Sequence, residues 1–343
     1  MLRYDYFPTE SELALHGAAQ AAFHERAAAA TRDAFGGNVF VRAVVEVSNV
    51  CRQNCSYCGM RRDNRRLHRF RARHHQIAEL LIHHRPASVT DINIQTGEDP
   101  VAVREVVLPL IETLRRETRL GISVCLGTLS PELYDTLRAA GADIFIMKFE
   151  SGDAAQYERF SAPGTLAERL RHLRLLAGSG WRVSSGFIAG LPGQTLRDLL
   201  DNFEVARQLP LSGCSVSPFI PGNETPLAAE PAANPDWTFN SVSALRLLRP
   251  DWVIPAVSAF NLAAPEGYRR GLRAGANLVT INLTPEEVRD DYVIYKRDRF
   301  IMTEDRVLQA IAAEGLTPSP TGLVEFYRQR APNGPIPVAA SQL

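Results

Sequence analysis

Residues 121–150 read GISVCLGTLSPELYDTLRAAGADIFIMKFE. Gly121–Leu126 is β-branched and apolar, a strand; Pro131–Ala140 has helical periodicity; Asp143–Phe149 is again apolar and strand-like. Gly141 punctuates the helix end, where a left-handed residue closes the last turn. Strand, helix and strand in this order imply two parallel neighbours, which need a helical crossover instead of a tight turn.

The same rhythm extends in both directions. Strands are predicted over Val39–Ser48, Val89–Gln95, Trp181–Ile188, Gly213–Ile220, Trp252–Ser258 and Asn277–Leu283. Helices are predicted over His74–His84, Val101–Glu117, Leu166–Ala177, Leu196–Leu209, Asn240–Leu248, Gly267–Ala274 and Thr303–Glu314. Eight strand-then-helix units predict an α/β fold, a (β/α)8 TIM-type barrel, and 343 residues accommodate the roughly 250 such a barrel takes. Residues 8–33, with an Ala-rich run from Ala18 to Ala30, read as helices. The expected division is therefore an N-terminal helical extension (1–35), the barrel (36–316) and a loose C-terminal tail (317–343) rich in Pro, Gly and Ser.

Lys plus Arg and Asp plus Glu number 38 each, so the formal net charge is zero, which gives no support to nucleic acid or an anionic membrane as partner. No apolar run approaches the roughly 20 residues of a membrane span. The N-terminal MLRYDYFPTESELALHG lacks a signal-peptide core, so the chain reads as cytoplasmic.

Three of the five cysteines, Cys51, Cys55 and Cys58, fall in one loop directly after the first strand. A structural zinc site takes four protein ligands, and a cubane iron–sulfur cluster normally takes four cysteines, one per iron. Three thiolates leave one iron open to a small molecule. A partial zinc site or three unrelated buried cysteines remain alternatives on spacing alone. Cys125 and Cys214 lie singly in apolar runs and read as small buried hydrophobes.

The Cx3CxΦC pattern, with Tyr57 as the aromatic, resembles the signature of radical S-adenosylmethionine (SAM) enzymes. That resemblance implies a [4Fe-4S] cluster on Cys51, Cys55 and Cys58, SAM on the open iron, and reductive cleavage to a 5'-deoxyadenosyl radical. Thr96-Gly97-Glu98 is similar to the family's element after the second strand, which implies contact of Gly97 and Glu98 with the SAM ammonium. Glu150, at the end of the fourth strand, would accept from the ribose hydroxyls. Arg169 would grip the SAM carboxylate through paired hydrogen bonds. Gly186–Thr195 (GFIAGLPGQT) resembles the adenine-packing segment, with Ile188, and Phe219-Ile220 the neighbouring strand-6 element.

The resemblance spans about residues 35–315 and is strongest to the HydE-type hydrogenase maturases, then to methylornithine synthase and biotin synthase. Biotin synthase implies a second cluster, but Ser123 and Ser184 stand where its cysteines would be. Methylornithine synthase implies an arginine and an aspartate where this chain has Ser215–Ser217 and Val257-Ser258-Ala259. A small-molecule substrate in the barrel would meet Gln95, Lys148, Ser185, Ser217, Ser258 and Asn282. Arg61–Arg73 holds seven arginines in thirteen residues, which reads either as a solvated face or as a dock for an acidic flavodoxin or ferredoxin reductant. A non-catalytic iron–sulfur scaffold and a zinc hydrolase are the alternative function classes.

Overall fold

The computed structural model describes residues 5–296 and 300–330. Two helices open the chain, α1 (Glu10–Leu13) and α2 (Gly17–Phe35). The first strand and its crossover helix follow, β1 (Asn38–Ser48) and α3 (His74–His83), then β2 (Asp91–Thr96). Next come α4 (Pro100–Ala102), a π-helical turn (Val103–Val107) and α5 (Leu108–Glu117), which run on without a gap as the helix expected there, with a widened turn inside it. Pro109 cannot donate to the Glu105 carbonyl and its ring crowds that oxygen, so the preceding turn widens. The alternation continues with β3 (Gly121–Cys125), α6 (Pro131–Ala140), β4 (Ile144–Ile146), α7 (Ala154–Arg159), α8 (Leu166–Gly178), β5 (Arg182–Ala189), α9 (Leu196–Gln208) and β6 (Gly213–Pro218). It ends with α10 (Pro235–Leu248), α11 (Phe260–Ala263), α12 (Gly267–Arg273), β7 (Leu278–Asn282), α13 (Glu286–Arg289), α14 (Glu304–Ala313), β8 (Thr317–Pro318) and α15 (Leu323–Arg328).

The strands form one parallel sheet in the order β6-β5-β4-β3-β2-β1-β7. The strand expected at Trp252–Ser258 is reduced to two isolated parallel bridges, Gly213 with Val253 and Pro255 with Leu278. Pro255 has no N–H to give a ladder. The segment still closes the sheet, because the Val253 amide donates to Ser212 and the Ala256 amide to Leu278. The predicted barrel is thus present, with an irregular seventh position.

Alternation divides each strand between two environments. Val39, Val41, Ala43, Val45 and Val47 of β1 pack outward against the helices, as do Ile92, Ile94, Ile122, Val124, Val183, Phe187, Cys214 and Val216. The intervening Arg42, Glu46, Asn93, Gln95, Cys125, Ser184, Ser215 and Ser217 line an interior cavity. The main apolar layer therefore lies outside the sheet, and the lumen mixes these polar side chains with apolar ones such as Val44, Ile144, Ile146 and Leu278.

Residues 317–330 are not a loose tail. Thr317 and Pro318 pair with β1. Leu323, Val324 and Tyr327 join Phe35, Phe40, Ile144, Val253 and Leu278 in a small core that floors the barrel. Asp91 anchors this plug: its carboxylate accepts from the Leu323 amide at 2.7 Å and the Val324 amide at 3.0 Å. Among the described residues no helix is long and apolar enough to cross a membrane.

Candidate functional site

The mouth of the barrel is built on the loop after β1. Asn49 ties it down, accepting from the Phe70 amide and donating to the His68 and Asp291 carbonyls. The Arg69 guanidinium donates to the carbonyls of Asn49, Met60, Arg61 and Asn64. Cys51, Cys55 and Cys58 all line the cavity at this end. Burial pushes all three thiols up, and the neighbouring sulfurs add to this at Cys55 and Cys58, which brings Cys58 to about 12. Three thiolates can coexist here only with cations among them. Among the described residues no group of three or more His, Cys, Asp or Glu side chains is placed to hold a single metal ion. A cubane takes one thiolate per iron, so its sulfurs need not converge on one point.

Gly97 brings the end of β2 against this loop, where a side chain would strike the Val50 carbonyl and Cys51. The Glu98 amide donates to Cys51 Sγ at 3.3 Å. The Glu98 carboxylate is committed within the protein. Oε1 accepts from the Thr128 amide (2.9 Å) and Arg169 Nη1 (3.3 Å), and Oε2 from Gln53 Nε2 (2.6 Å) and Arg52 Nε (3.4 Å). Four donors fill the four lone-pair sites of a carboxylate. Glu98 is a brace that joins the cysteine loop to Arg169.

Arg169 sits on the first turn of α8, which a capping box of Thr165 and Glu168 fixes. It is buried, and it also donates from Nε to the Lys148 carbonyl (2.9 Å) and from Nη1 to Thr128 Oγ1 (2.6 Å). Its Nη2 has no partner among the described residues, and the side chain lines the cavity. Burial opposes its charge, but Glu98 and its other neighbours outweigh that and raise its pKa.

Past Ile146 the chain leaves regular strand geometry, and Glu150 adopts a left-handed φ of 63°. This turn aims Lys148 and Glu150 into the cavity. The Lys148 ammonium lies 3.4 Å from Glu150 Oε2 and donates to Ser217 Oγ at 3.1 Å. The ion pair lacks hydrogen-bond alignment, so Oε2 is buried with no donor. Ile188 lines the cavity nearby, and the turn after it is locked by Gln194, which accepts from the Gly190 amide and donates to the Ile188 carbonyl. Tyr57 packs against the buried cluster of Phe160, Ile188, Leu191 and Phe219.

Not every predicted residue reaches the cavity. Gln95, Lys148, Ser217, Ser258 and Asn282 line it, but Ser185 faces the helices and donates to the Met147 carbonyl. Its neighbour Ser184 takes the lumen position, as the two-residue period requires. Phe219 and Ile220 are buried behind the wall; the Phe219 amide and carbonyl are spent on Ala189 and Ala233. Cys125 is not a core hydrophobe, because it faces the lumen, whereas Cys214 is one. Sequence reading missed Gln53, Thr128, Arg42, Asn93 and Tyr295. The arginine run also divides: Arg69 is spent on carbonyls, Arg71 on Asp99 and Arg62 on Asp63. Arg65, Arg66 and Arg73 are exposed with no acidic partner among the described residues.

The model of the Radical SAM superfamily matches residues 45–206. The [FeFe] hydrogenase maturase subunit HydE of Thermotoga maritima is 33% identical over 260 residues, 76% of this chain and 74% of that protein. The chain belongs to the radical SAM superfamily. The 3-methylornithine synthase of Methanosarcina acetivorans is 24% identical over 296 residues, 85% of this chain and 83% of that protein. The crystal structure of methylornithine synthase (PylB) shares the fold with a TM-score of 0.82 at 21% identity, covering 95% of this chain and 97% of that one. As a radical SAM enzyme the protein uses a [4Fe-4S] cluster and SAM. The residues fit both: a trio of thiols that burial holds protonated despite the Arg69 guanidinium nearby, and an orphaned carboxylate oxygen and a free guanidinium nitrogen beside them in one cavity.

Proposed function

We propose that this radical SAM enzyme works on a small molecule held in the barrel lumen, with a HydE-like maturase type of reaction. The observation that carries the reading is continuity. Cys51, Cys55, Cys58, Arg169, Glu150 and the lumen side chains line one cavity of about 350 Å³, within the size range of ligand pockets.

In this reading Cys51, Cys55 and Cys58 hold the cluster, which when bound supplies the electron that cleaves SAM. Arg169 offers Nη2 to the SAM carboxylate, and Glu98 keeps the guanidinium charged and aimed. Glu150 Oε2 accepts from the ribose. Ile188 and Tyr57 give adenine an apolar face, and Gly97 lets the backbone close on the ligand. The floor of Leu323 and Tyr327 excludes water from below.

Methylornithine synthase chemistry is the second reading. Ser215, Ser217, Val257, Ser258 and Ala259 on the cavity wall support the maturase type instead, because none of them carries a charge to form an ion pair with an amino acid's ammonium or carboxylate. Arg65, Arg66 and Arg73 follow the cysteine loop and suit an acidic flavodoxin or ferredoxin as reductant.

Anaerobic reconstitution with iron and sulfide, then dithionite and SAM, tests the reading. Formation of 5'-deoxyadenosine that Cys51→Ala abolishes is the expected result. A cluster-loaded protein that leaves SAM intact would mark an iron–sulfur scaffold.

A further inference from the structure

Thr128 is the hub of the contacts around Arg169, and each of its polar groups is engaged. Its amide donates to Glu98 Oε1 at 2.9 Å, and its carbonyl accepts from Arg52 Nη2 at 2.8 Å. Its hydroxyl accepts from Arg169 Nη1 at 2.6 Å. The aim of the guanidinium therefore depends on where Thr128 stands. Thr128 lies in the loop between β3 and α6, beyond the reach of the strand ladder. The next residue is pinned by a side chain instead, because the Leu129 amide donates to the Tyr134 hydroxyl at 3.0 Å.

Tyr134 reaches back to that amide from α6. Its ring is buried and stands edge-on to Phe145, with 5.1 Å between centroids. Burial pushes the phenol up to about 12, so it keeps its hydrogen. That hydrogen has a single acceptor among the described residues, His172 Nδ1 at 3.1 Å. Burial lowers the His172 pKa, and Arg171 and Arg169 lower it further, against Glu168 and Glu98. Tyr134 faces the ring from α6, Glu98 from the loop after β2, and the other three from α8 itself. A neutral imidazole has one accepting nitrogen, and Nδ1 is where the phenol needs it. His172 follows Arg169 by one turn on the same face of α8. The contacts thus close a circuit from Arg169 through Thr128, Leu129, Tyr134 and His172 back to α8.

We propose that Tyr134 and His172 are positioning residues for SAM: the pair pins Leu129, which holds Thr128 where it aims Arg169 at the SAM carboxylate. The inference deepens the proposed function and rests on Arg169 gripping that carboxylate. It also gives SAM binding a proton sensitivity. A proton on Nδ1 turns the acceptor into a donor and strands the buried phenol hydrogen, a costly state. It also sets a second positive charge one turn from Arg169. SAM binding therefore favours the neutral ring. Affinity is full above the His172 pKa, which lies below the ordinary 6.5, and falls as the pH drops through it.

The test is calorimetric titration of the anaerobically reconstituted holoenzyme with SAM, without reductant, from pH 7.5 to 5.5. The parent should lose affinity severalfold across that range. Tyr134→Phe and His172→Ala should each bind SAM about fivefold more weakly at pH 7.5, the net worth of one hydrogen bond. His172→Gln supplies an acceptor that does not titrate, so it should recover most of the alanine loss and flatten the pH profile. Cluster absorbance and far-ultraviolet circular dichroism report whether each variant has folded. Should Tyr134→Phe fail to fold, the half-buried His172 still gives two variants that decide the matter. Parent-like affinity in folded His172→Ala, or a pH profile that survives in His172→Gln, would overturn the proposal. Arg169→Gln separates it from the reading beneath it. Loss of SAM there with no effect at Tyr134 or His172 sinks the positioning role alone. Parent-like SAM binding by Arg169→Gln sinks the carboxylate assignment and the positioning role together.

Discussion

Arg169 Nη1 lies 3.3 Å from Glu98 Oε1, and both side chains are almost wholly buried. The pair spans the barrel mouth, joining the first turn of α8 to the end of β2. Losing the charge on one partner of a buried pair costs about 3–5 kcal/mol, mostly through the charge left behind. Glu98→Gln should therefore lower the unfolding free energy by about 3 kcal/mol in denaturant titration. It should also weaken SAM binding by about tenfold, because the guanidinium loses its brace. Unchanged SAM affinity in a folded Glu98→Gln protein would remove Glu98 from the site.

Gly127 is the reason Glu98 can sit where it does. Its φ is 71°, and a β-carbon there would collide with the Glu98 side chain. Gly127→Ala combines left-handed strain of about 1–3 kcal/mol with displacement of Glu98. The two effects separate in a double-mutant cycle. In a Glu98→Ala background the collision partner is gone, so Gly127→Ala should cost less there by about 1 kcal/mol or more. Strict additivity would mean the glycine serves the turn alone.

Much of this is legible in the sequence, because it rests on periodicity. Polar residues at alternate strand positions, Asn93 and Gln95 or Ser215 and Ser217, mark the lumen face. Applied strictly, the same period puts Ser184 inside and Ser185 outside, and turns Cys125 inward and Cys214 outward. What the chain could not announce were long-range commitments. Nothing near Glu98 in sequence says that Thr128 and Arg169 will fill its oxygens. Nothing near residue 317 says that Asp91 will cap α15 and make it the barrel floor. The strand at Trp252–Ser258 failed for a local reason, Pro255, which was visible.

The pH response should carry a signature of the N-terminal helices. His24 Nε2 donates to Asn240 Oδ1 at 3.1 Å, and that oxygen also accepts from Gln20 at 3.0 Å. Burial lowers the His24 pKa, the Asn240 bond opposes this, and Arg270 adds to it. Below the unfolded value of about 6.5 the unfolded chain takes up a proton that the folded one resists. Stability from this site is thus complete above that pH and falls as the pH drops through it. Urea midpoints measured from pH 7.5 to 5.5 should decline, and less steeply in His24→Gln, whose amide can still donate to Asn240. Equal slopes for the two proteins would assign the decline elsewhere.

Glu150 offers the sharpest separation of stability from function. Its backbone has a φ of 63°, a region costly for most residues and tolerated by asparagine. Its Oε2 is buried beside Lys148 with no donor. Both features cost the folded protein, and a ribose hydroxyl would repay the second. Glu150→Asn keeps the left-handed turn at lower strain but withdraws the carboxylate. Relief of that strain offsets part of the cost of leaving Lys148 without its counter-ion, so the variant should lose less than about 3 kcal/mol in denaturant titration. Its SAM affinity should fall by tenfold or more, since a hydrogen bond to a charged group is worth about 1.5–3 kcal/mol. Lys148 then has no counter-ion at that wall, so higher salt should narrow the stability difference between the two proteins. A Glu150→Asn enzyme that binds SAM like the parent would place the ribose elsewhere in the cavity.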